Sequence, residues 1–442
     1  MKKTKQLFIC FMLILAMSLG QFSFADFNES NLVQSVDDEF FTQEETLVLA
    51  KHYITNYLSE FYNEEKFDLV ISESYIKLYD ISDKHFAYLI QFSEKNTQAE
   101  GILTLGALRD GLTFYRLTEN KKLLDEVEEF RLAKTDEIIT FVPPNSLYTK
   151  NKNDRTSDYQ PFGRETSYIE NNVLRKSVEN TDENINSTLT NFYNQLRSSE
   201  IAEENKLLLS ELSSTDKNEI TLQSSRSSSS VFLSKWQMGD FLPVENGEYY
   251  GGDQGWLGSN SSNGCGPTAA ANAVAYLAHT NPSGRGELYD YGNLSSSSAW
   301  SKSNYTNHMS EMYDYMDPIN AWYGLTDVNQ FQGFVELFAR TKGIFNLTTR
   351  YIEDSDCNYY SSVENFITTG LNSDTPICAL NKTFPFINGT YEWHWITITG
   401  FIENGPTSNQ VVVSTWGEQE VINLYSYWEN IRTFNGGFAY FK

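Results

Sequence analysis

The chain has 442 residues, of which 14% are aromatic and 21% charged, and its formal net charge is −25 at pH 7. Phosphate backbones and anionic lipid surfaces repel a protein this acidic, so the composition argues against nucleic acid and against membranes as partners. The length suffices for two domains of ordinary size, each with its own hydrophobic core.

The first 25 residues (1–25) have the pattern of a secretory signal peptide. Three lysines within the first five residues precede an apolar run at 7–19, and Ser23-Phe24-Ala25 fits the small-x-small rule for cleavage before Asp26. The apolar run is too short to span a bilayer. We therefore expect a secreted, extracellular protein, released or held on the cell surface by non-covalent contacts.

Composition divides the rest of the chain into two parts. All eight tryptophans lie between Trp236 and Trp428, and 21 of the 26 glycines follow position 230. Residues 224–230 are six serines and one arginine, which is typical of a flexible, protease-accessible linker. We predict a domain at 26–170, a polar helical connector with the serine-rich linker at 171–230, and a second domain at 231–442.

The first domain shows one helix followed by strands. Residues 42–62 have a helical apolar period, and the period changes to two in the segments 75–79, 86–92, 101–106 and 112–117. Turn residues separate these segments, so they predict an antiparallel sheet packed on the helix, an α+β arrangement. In the connector, 189–196 and 201–212 have weaker helical patterns.

The second domain begins with a cysteine at the start of an alanine-rich helix. Cys265 lies between two glycines and is followed by Pro267, which is tolerated in the first turn of a helix because its missing N–H has no partner there. The unpaired amides and the helix dipole favour negative charge at this end. We therefore predict that the thiol of Cys265 has a lowered pKa and acts as a nucleophile.

A base for this thiol is expected on a strand further along the chain. Apolar segments at 377–380, 393–400, 410–414 and 437–441 predict strands, and 328–339 predicts an amphipathic helix. His394 begins one of these strands. His279 lies roughly 21 Å along the helix from Cys265, too far to be the base, and His308 is interpreted as part of a polar loop. We assign the base to His394.

The remaining cysteines allow two interpretations. Cys357 and Cys378 form a disulfide in the oxidising exterior, or all three cysteines after the signal peptide are reduced and Cys378 is simply buried in a strand. No histidine or cysteine spacing matches a zinc site, so no metal and no other cofactor is expected.

Three segments together resemble the papain-fold cysteine peptidases, specifically the bacterial bacteriocin-processing-peptidase-like domains. They are Gly-Cys-Gly-Pro-Thr-Ala-Ala at 264–270, His-Trp-Ile-Thr-Ile-Thr-Gly at 394–400 and Val-Val-Val-Ser-Thr-Trp-Gly at 411–417. The resemblance covers about 236–442. It implies a helix subdomain facing an antiparallel sheet, with a peptide or protein substrate bound in the cleft between them.

The resemblance also implies roles for further residues. Gln254 is the nearest upstream glutamine for an oxyanion hole. The family orients its histidine with an Asn or Asp before a Trp-Gly pair, where this chain has Ser414 and Thr415. The first domain is similar to inhibitory propeptides, which implies a zymogen whose own N-terminal domain fills the cleft until it is cut near Arg226.

Two other functions remain open at the level of sequence. A cysteine amidase acting on cell-wall peptide bridges uses the same pairing of a helix-start cysteine with a strand histidine. A catalytically inactive papain-like module that binds a protein partner is favoured by the absence of the orienting Asn or Asp. In place of an inhibitor, the first domain is then a surface-binding or partner-binding module.

Overall fold

The computed structural model describes residues 39–62, 66–133, 136–152, 160–162, 182–214, 230–316, 328–383, 392–405 and 407–442. We call its parts before 215 the N-terminal half and its parts after 229 the C-terminal half. The predicted signal peptide, residues 163–170 at the end of the predicted first domain, and residues 171–181 and 215–229 of the predicted connector and linker lie outside the described residues. Glu39–Lys442 makes up one compact unit.

The α-helices of the described residues lie in both halves. They are α1 (Gln43–Phe61), α2 (Lys121–Ala133), α3 (Asp182–Gln195), α4 (Ser199–Ser214), α5 (Cys265–Thr280), α6 (Pro282–Arg285), α7 (Lys302–Met316), α8 (Val328–Thr341), α9 (Tyr360–Asn372) and α10 (Leu424–Phe434). In α1, Thr42 and Glu45 form a reciprocal capping box, which fixes where the helix begins. No helix in the described parts of the chain combines the length and the apolar character needed to cross a bilayer.

The strands join into a single sheet that contains strands of both halves. They are β1 (Leu69–Ile71), β2 (Ile76–Tyr79), β3 (His85–Glu94), β4 (Glu100–Gly106), β5 (Phe114–Thr118), β6 (Glu137–Val142), β7 (Ser146–Asn151), β8 (Gln160–Pro161), β9 (Val231–Phe232), β10 (Thr349–Glu353), β11 (Ile377–Thr383), β12 (Glu392–Ile402), β13 (Gln410–Thr415), β14 (Glu418–Asn423) and β15 (Gly437–Phe441). Their order is β10-β15-β11-β12-β13-β14-β5-β4-β3-β2-β6-β7-β8, with β1 beside β3 and β9 beside β12.

The two halves meet where β14 pairs with β5. The pairing is antiparallel, with Val421 opposite Leu117. A buried ion pair between Arg116 and Glu420 joins the same two strands, and Arg116 also donates from Nη1 to the carbonyl of Asn145 at 3.2 Å. The sheet is therefore continuous across the point where the sequence predicted a connector between domains.

Helix α5 is buried on all sides and packs against β12. Its small side chains allow this close approach, since the alanines from Ala269 to Ala278 are at most 2% exposed. The Sγ atom of Cys378 on β11 lies 3.4 Å from the carbonyl oxygen of Ala269. The start of α5 is in this way held against the sheet.

The structure confirms the mixed α+β class and most elements predicted from periodicity. The helices α1, α3, α4 and α8 and the strands β2 to β5, β11 to β13 and β15 lie within a few residues of their predicted positions. The division into separate domains stays a prediction.

One expectation about an individual residue is wrong, and the structure decides between the two interpretations of the cysteines. His308 does not lie in a polar loop: it is fully buried on α7, among the rings of Tyr289, Tyr305 and Phe338, and burial lowers its pKa to about 3. Cys357 and Cys378 do not form a disulfide, and each is a buried thiol.

Candidate active site

One narrow cleft brings together all five residues that the sequence singled out. Cys265 and His394, which are 129 residues apart in sequence, line it together with Gln254, Ser414 and Thr415. The start of α5 supplies the cysteine, and the adjacent strands β12 and β13 supply the histidine and the two hydroxyls. The lining residues fall between 252 and 416, so none of them belongs to the N-terminal half.

Cys265 is the first residue of α5 and is, as a whole residue, partly exposed. Its helix has Gly264 as N-cap and therefore no side-chain cap, which leaves first-turn amides for other acceptors. Burial raises the pKa of the thiol above its ordinary value, against the opposing effect of hydrogen bonds from the backbone amides of Trp395, Gly266 and Cys265 itself. The predicted lowering of this pKa is wrong, because desolvation outweighs the amides.

A threonine hydroxyl contacts the imidazole of His394. His394 is 7% exposed, and its Nε2 atom lies 2.7 Å from Oγ1 of Thr415, the last residue of β13. In one tautomer of the neutral ring Nε2–H donates to this hydroxyl and the acceptor lone pair is on Nδ1, and in the other the hydroxyl donates to Nε2. In both cases the contact sets the orientation of the ring.

A two-residue turn directly after Thr415 adds a second contact to the same ring. Trp416 and Gly417 have φ values of +54° and +75° and join β13 to β14, as in the mirror-image turns that favour Gly and Asn. A tryptophan in this left-handed region costs about 1–2 kcal/mol. The indole stacks on His394 with 5.0 Å between ring centroids and an interplanar angle of 12°, so the strained residue lies beside the candidate base.

Gln254 lies at the entry to the cysteine helix. It is 6% exposed and begins the 3₁₀ segment Gln254–Asn263, which leads directly to Cys265. Its Nε2 donates to the carbonyl of Ser261 at 2.9 Å, which fixes the amide beside the cleft. Because an amide nitrogen has two hydrogens, this bond uses one of the two donors of the side chain.

Ser414 and Thr415, the two candidates for the orienting residue, have different hydrogen-bond partners. Thr415 bonds His394, whereas Ser414 donates to the carbonyl of Tyr250 and lies 3.3 Å from Nδ2 of Asn272. Of the two candidates for an orienting residue, Thr415 is therefore the one in contact with the imidazole. Ser414 belongs to a polar network behind the cleft.

Sequence reasoning missed two residues of this site. The sequence analysis assigns no role to Trp416, although its place directly before Gly417 indicates a tight turn with an unusual backbone. Asn272 is the only polar residue between Ala269 and Ala275 in the buried helix, which is the signal that identifies it. Both lie in the cleft.

An acidic group lies next to the turn. Glu418 pairs with Thr415 across the hairpin, and its pKa is raised to about 7 by burial and by the nearby charges of Glu420 and Asp253. Within the described residues, no cluster of three or more His, Cys, Asp or Glu side chains is arranged to hold a metal ion.

Comparison with known proteins assigns no family. No protein-family model matches the chain, and no curated protein matches it in sequence. The interpretation of the cleft depends on its own residues and geometry.

Proposed function

We propose that this protein is a secreted, papain-like cysteine peptidase that cleaves peptide bonds with Cys265 as nucleophile and His394 as base. The observation that carries the proposal is the shared cleft: a helix-start thiol and a strand imidazole from distant parts of the chain line it together with the hydroxyl that orients the imidazole. Nucleophile, base and orienting group in one cleft are the elements of nucleophilic acyl transfer.

The raised pKa of Cys265 fixes the order of the proton transfers. The thiol is protonated near neutral pH, so Nδ1 of His394 takes its proton as the sulfur attacks the substrate carbonyl. A carbon–sulfur bond forms, the imidazolium protonates the leaving amine as the peptide bond breaks, and water then hydrolyses the thioester with His394 again as base. The indole of Trp416 covers one face of the ring during these steps.

The negative charge that develops on the carbonyl oxygen needs donors at the start of α5. The backbone amide of Cys265 and the amide of Gln254 are the candidates, because both adjoin the cleft at the positive end of a helix. In this proposal the second N–H of Gln254 is turned toward the oxyanion while the first keeps its bond to Ser261.

We assign the N-terminal half a structural role in preference to the inhibitory role that the resemblance implies. An inhibitor would fill the cleft, whereas the residues that line the cleft begin at 252. The N-terminal half instead contributes β5 to the edge of β14 and buries Arg116 against Glu420. A zymogen mechanism would require a segment outside the described residues to reach the cleft.

Alkylation of the thiols tests the proposal without a known substrate. Iodoacetamide at neutral pH should label Cys265 first, because Cys357 and Cys378 are fully buried and act as internal controls. We expect His394→Ala to slow this labelling and Cys265→Ala to abolish it. Equal, slow labelling of all three thiols in the folded protein contradicts the proposal.

A digest of a broad peptide library identifies the reaction. Cleavage by the wild type and none by Cys265→Ala supports the peptidase. Clearing of purified cell wall without peptide cleavage assigns the same cleft to a cysteine amidase instead.

A catalytically inactive binding module is the second candidate. The raised pKa of Cys265 and the neutral hydroxyl of Thr415, in place of an amide or carboxylate, both favour it. Partner binding that survives in Cys265→Ala, together with no turnover of peptides or cell wall by the wild type, would support this candidate over the peptidase.

A further inference from the structure

Asn272 occupies an unusual place in the cysteine helix. It lies seven residues after Cys265, two helical turns along the same face of α5, and it is 2% exposed. Its neighbours in the helix are small and apolar. A buried amide at such a place is costly unless its polar atoms are bonded.

The side chain of Asn272 makes four hydrogen bonds. Its Oδ1 atom accepts from the backbone N–H of Gly252 at 2.9 Å and from the hydroxyl of Tyr305 at 2.7 Å. Its Nδ2 atom donates to Oγ1 of Thr397 at 3.4 Å and to Oγ of Ser414 at 3.3 Å. An asparagine amide has two donors and two acceptor sites, so its capacity is used in full.

Three of these partners lead to the proposed catalytic groups. Gly252 is in the segment that enters the 3₁₀ turn with the proposed oxyanion glutamine. Thr397 is on β12, the strand of the proposed base, and Ser414 immediately precedes the threonine that bonds the base. One side chain on the nucleophile's helix therefore contacts every other element of the cleft.

The backbone beside this network, at Gly251, leaves no room for a side chain. Gly251 has φ +87°, and a Cβ atom at this position would lie 2.8 Å from Oγ of Ser414 and 3.0 Å from both amide atoms of Asn272. Any larger residue would displace the network and would also be strained in its own backbone. This packing is a second observation, independent of the hydrogen bonds.

We infer that Asn272 is a positioning residue that sets the separation and orientation of the nucleophile's helix relative to the strands that hold the base. The inference rests on the proposed function and extends it to a residue outside the Cys-His-Thr set. Its physical basis is that acyl transfer tolerates little displacement: a shift of about 1 Å between reacting groups costs about a hundredfold in rate.

The experiment compares Asn272→Ala with Asn205→Ala. Asn205 is also a buried asparagine, with bonds from Nδ2 to the carbonyls of Arg109 at 2.9 Å and Gly111 at 2.8 Å, but it lies in the N-terminal half. For Asn272→Ala we expect Cys265 alkylation and kcat to fall about ten- to hundredfold, with a shifted pH midpoint of alkylation. For Asn205→Ala we expect both to stay within about twofold of the wild type, whatever its loss of Tm.

A second variant covers the case in which Asn272→Ala fails to fold. Gly251→Ala keeps the asparagine but places a methyl group against it, and we expect the same fall and the same shift of the pH midpoint. A folded variant of either kind that is alkylated at Cys265 with the rate and pH midpoint of the wild type contradicts the inference. The proposed function is not affected by that result. If the wild type itself shows neither selective labelling of Cys265 nor turnover, the proposed function has failed first.

Discussion

A threonine hydroxyl holds the ring of His394, where papain-like enzymes use an amide or a carboxylate. The hydroxyl lies 2.7 Å from Nε2 and so orients the imidazole. It carries no charge, however, and therefore stabilises an imidazolium less than a carboxylate does. Together with the raised pKa of Cys265, this favours a resting site of thiol and neutral imidazole over a preformed ion pair.

Replacement of Thr415 by valine tests this contact. The valine keeps the shape of the side chain and removes the hydroxyl, so we expect kcat to fall about ten- to hundredfold, the cost of a hydrogen bond to a group that becomes charged. KM should change little, because the lost hydrogen bond affects the orientation of the imidazole and not the binding of the substrate. Thr113→Val is the matched control: its buried hydroxyl also bonds a side chain, Tyr53 at 2.5 Å, in the N-terminal half. An unchanged kcat in Thr415→Val refutes the orienting role.

At the scale of elements, the hairpin of β13 and β14 combines the candidate site with a group that titrates near neutrality. Glu418 follows the turn of Trp416 and Gly417, and burial, Glu420 and Asp253 raise its pKa to about 7. The folded protein thus favours the protonated form of Glu418. Since the unfolded value is near the ordinary 4.5, the contribution of Glu418 to stability is greatest below that pH and is lost as the pH rises toward 7.

Glu418→Gln should remove this pH dependence. The Glu418 side chain is expected to contribute about 1–2 kcal/mol less to the unfolding free energy of the wild type at pH 7.5 than at pH 4.5, a value reduced for the partial exposure of the side chain. The glutamine variant stays neutral and should be the more stable protein at pH 7.5, with little difference at pH 4.5. Denaturant unfolding at both pH values measures the effect, and equal slopes with pH in the two proteins contradict it.

The sequence predicted elements whose burial follows a regular period. Helix α1 has buried residues at helical spacing, among them Ala50, Ile54 and Leu58. Strands β3 and β4 lie where they were predicted, although β3 has no exposed position and β4 is buried at six of its seven residues, so neither alternates strictly. Helix α10 and strand β14 were missed, because their buried faces carry polar residues such as Glu420 and Asn430. Glu420 is buried only because Arg116 comes from a strand about 300 residues earlier, which no local pattern contains.

The same limit applies to the site. The spacing of glycines, proline and alanines identified Cys265, and the strand pattern identified His394. The direction of the thiol's pKa was predicted wrongly, because the sequence shows the helix start but not the desolvation that surrounds it. The stack of Trp416 on His394 depends on the left-handed backbone of Trp416. Because tryptophan rarely adopts this backbone conformation, the sequence does not predict it.

At the scale of the whole molecule, β5 and β14 make the two halves parts of one sheet. Besides the strand pairing and the ion pair of Arg116 with Glu420, Phe192 of α3 packs on Phe434 of α10 with 5.5 Å between ring centroids. None of these contacts involves residues 215–229. We therefore expect the two halves to stay together when the chain is cut within that segment.

A cut within residues 215–229 should therefore leave the halves associated. With a specific protease site introduced there, we expect the two fragments to elute together from a sizing column and to separate in denaturant. Arg116→Ala should weaken the cut protein, since an unpaired Glu420 left in the interface costs about 3–5 kcal/mol. Spontaneous separation of the wild-type fragments in native buffer shows that the N-terminal half is a dissociating propeptide after all.

Because Trp416 stacks on His394, we expect its fluorescence to depend on the charge of the imidazole. An indole in face contact with an imidazole changes its emission when the imidazole gains a positive charge, because the cation interacts with the electron-rich ring face. The difference in fluorescence between the wild type and Trp416→Phe, followed across pH, would report protonation of His394 directly. Such a titration needs no substrate and no chemical label.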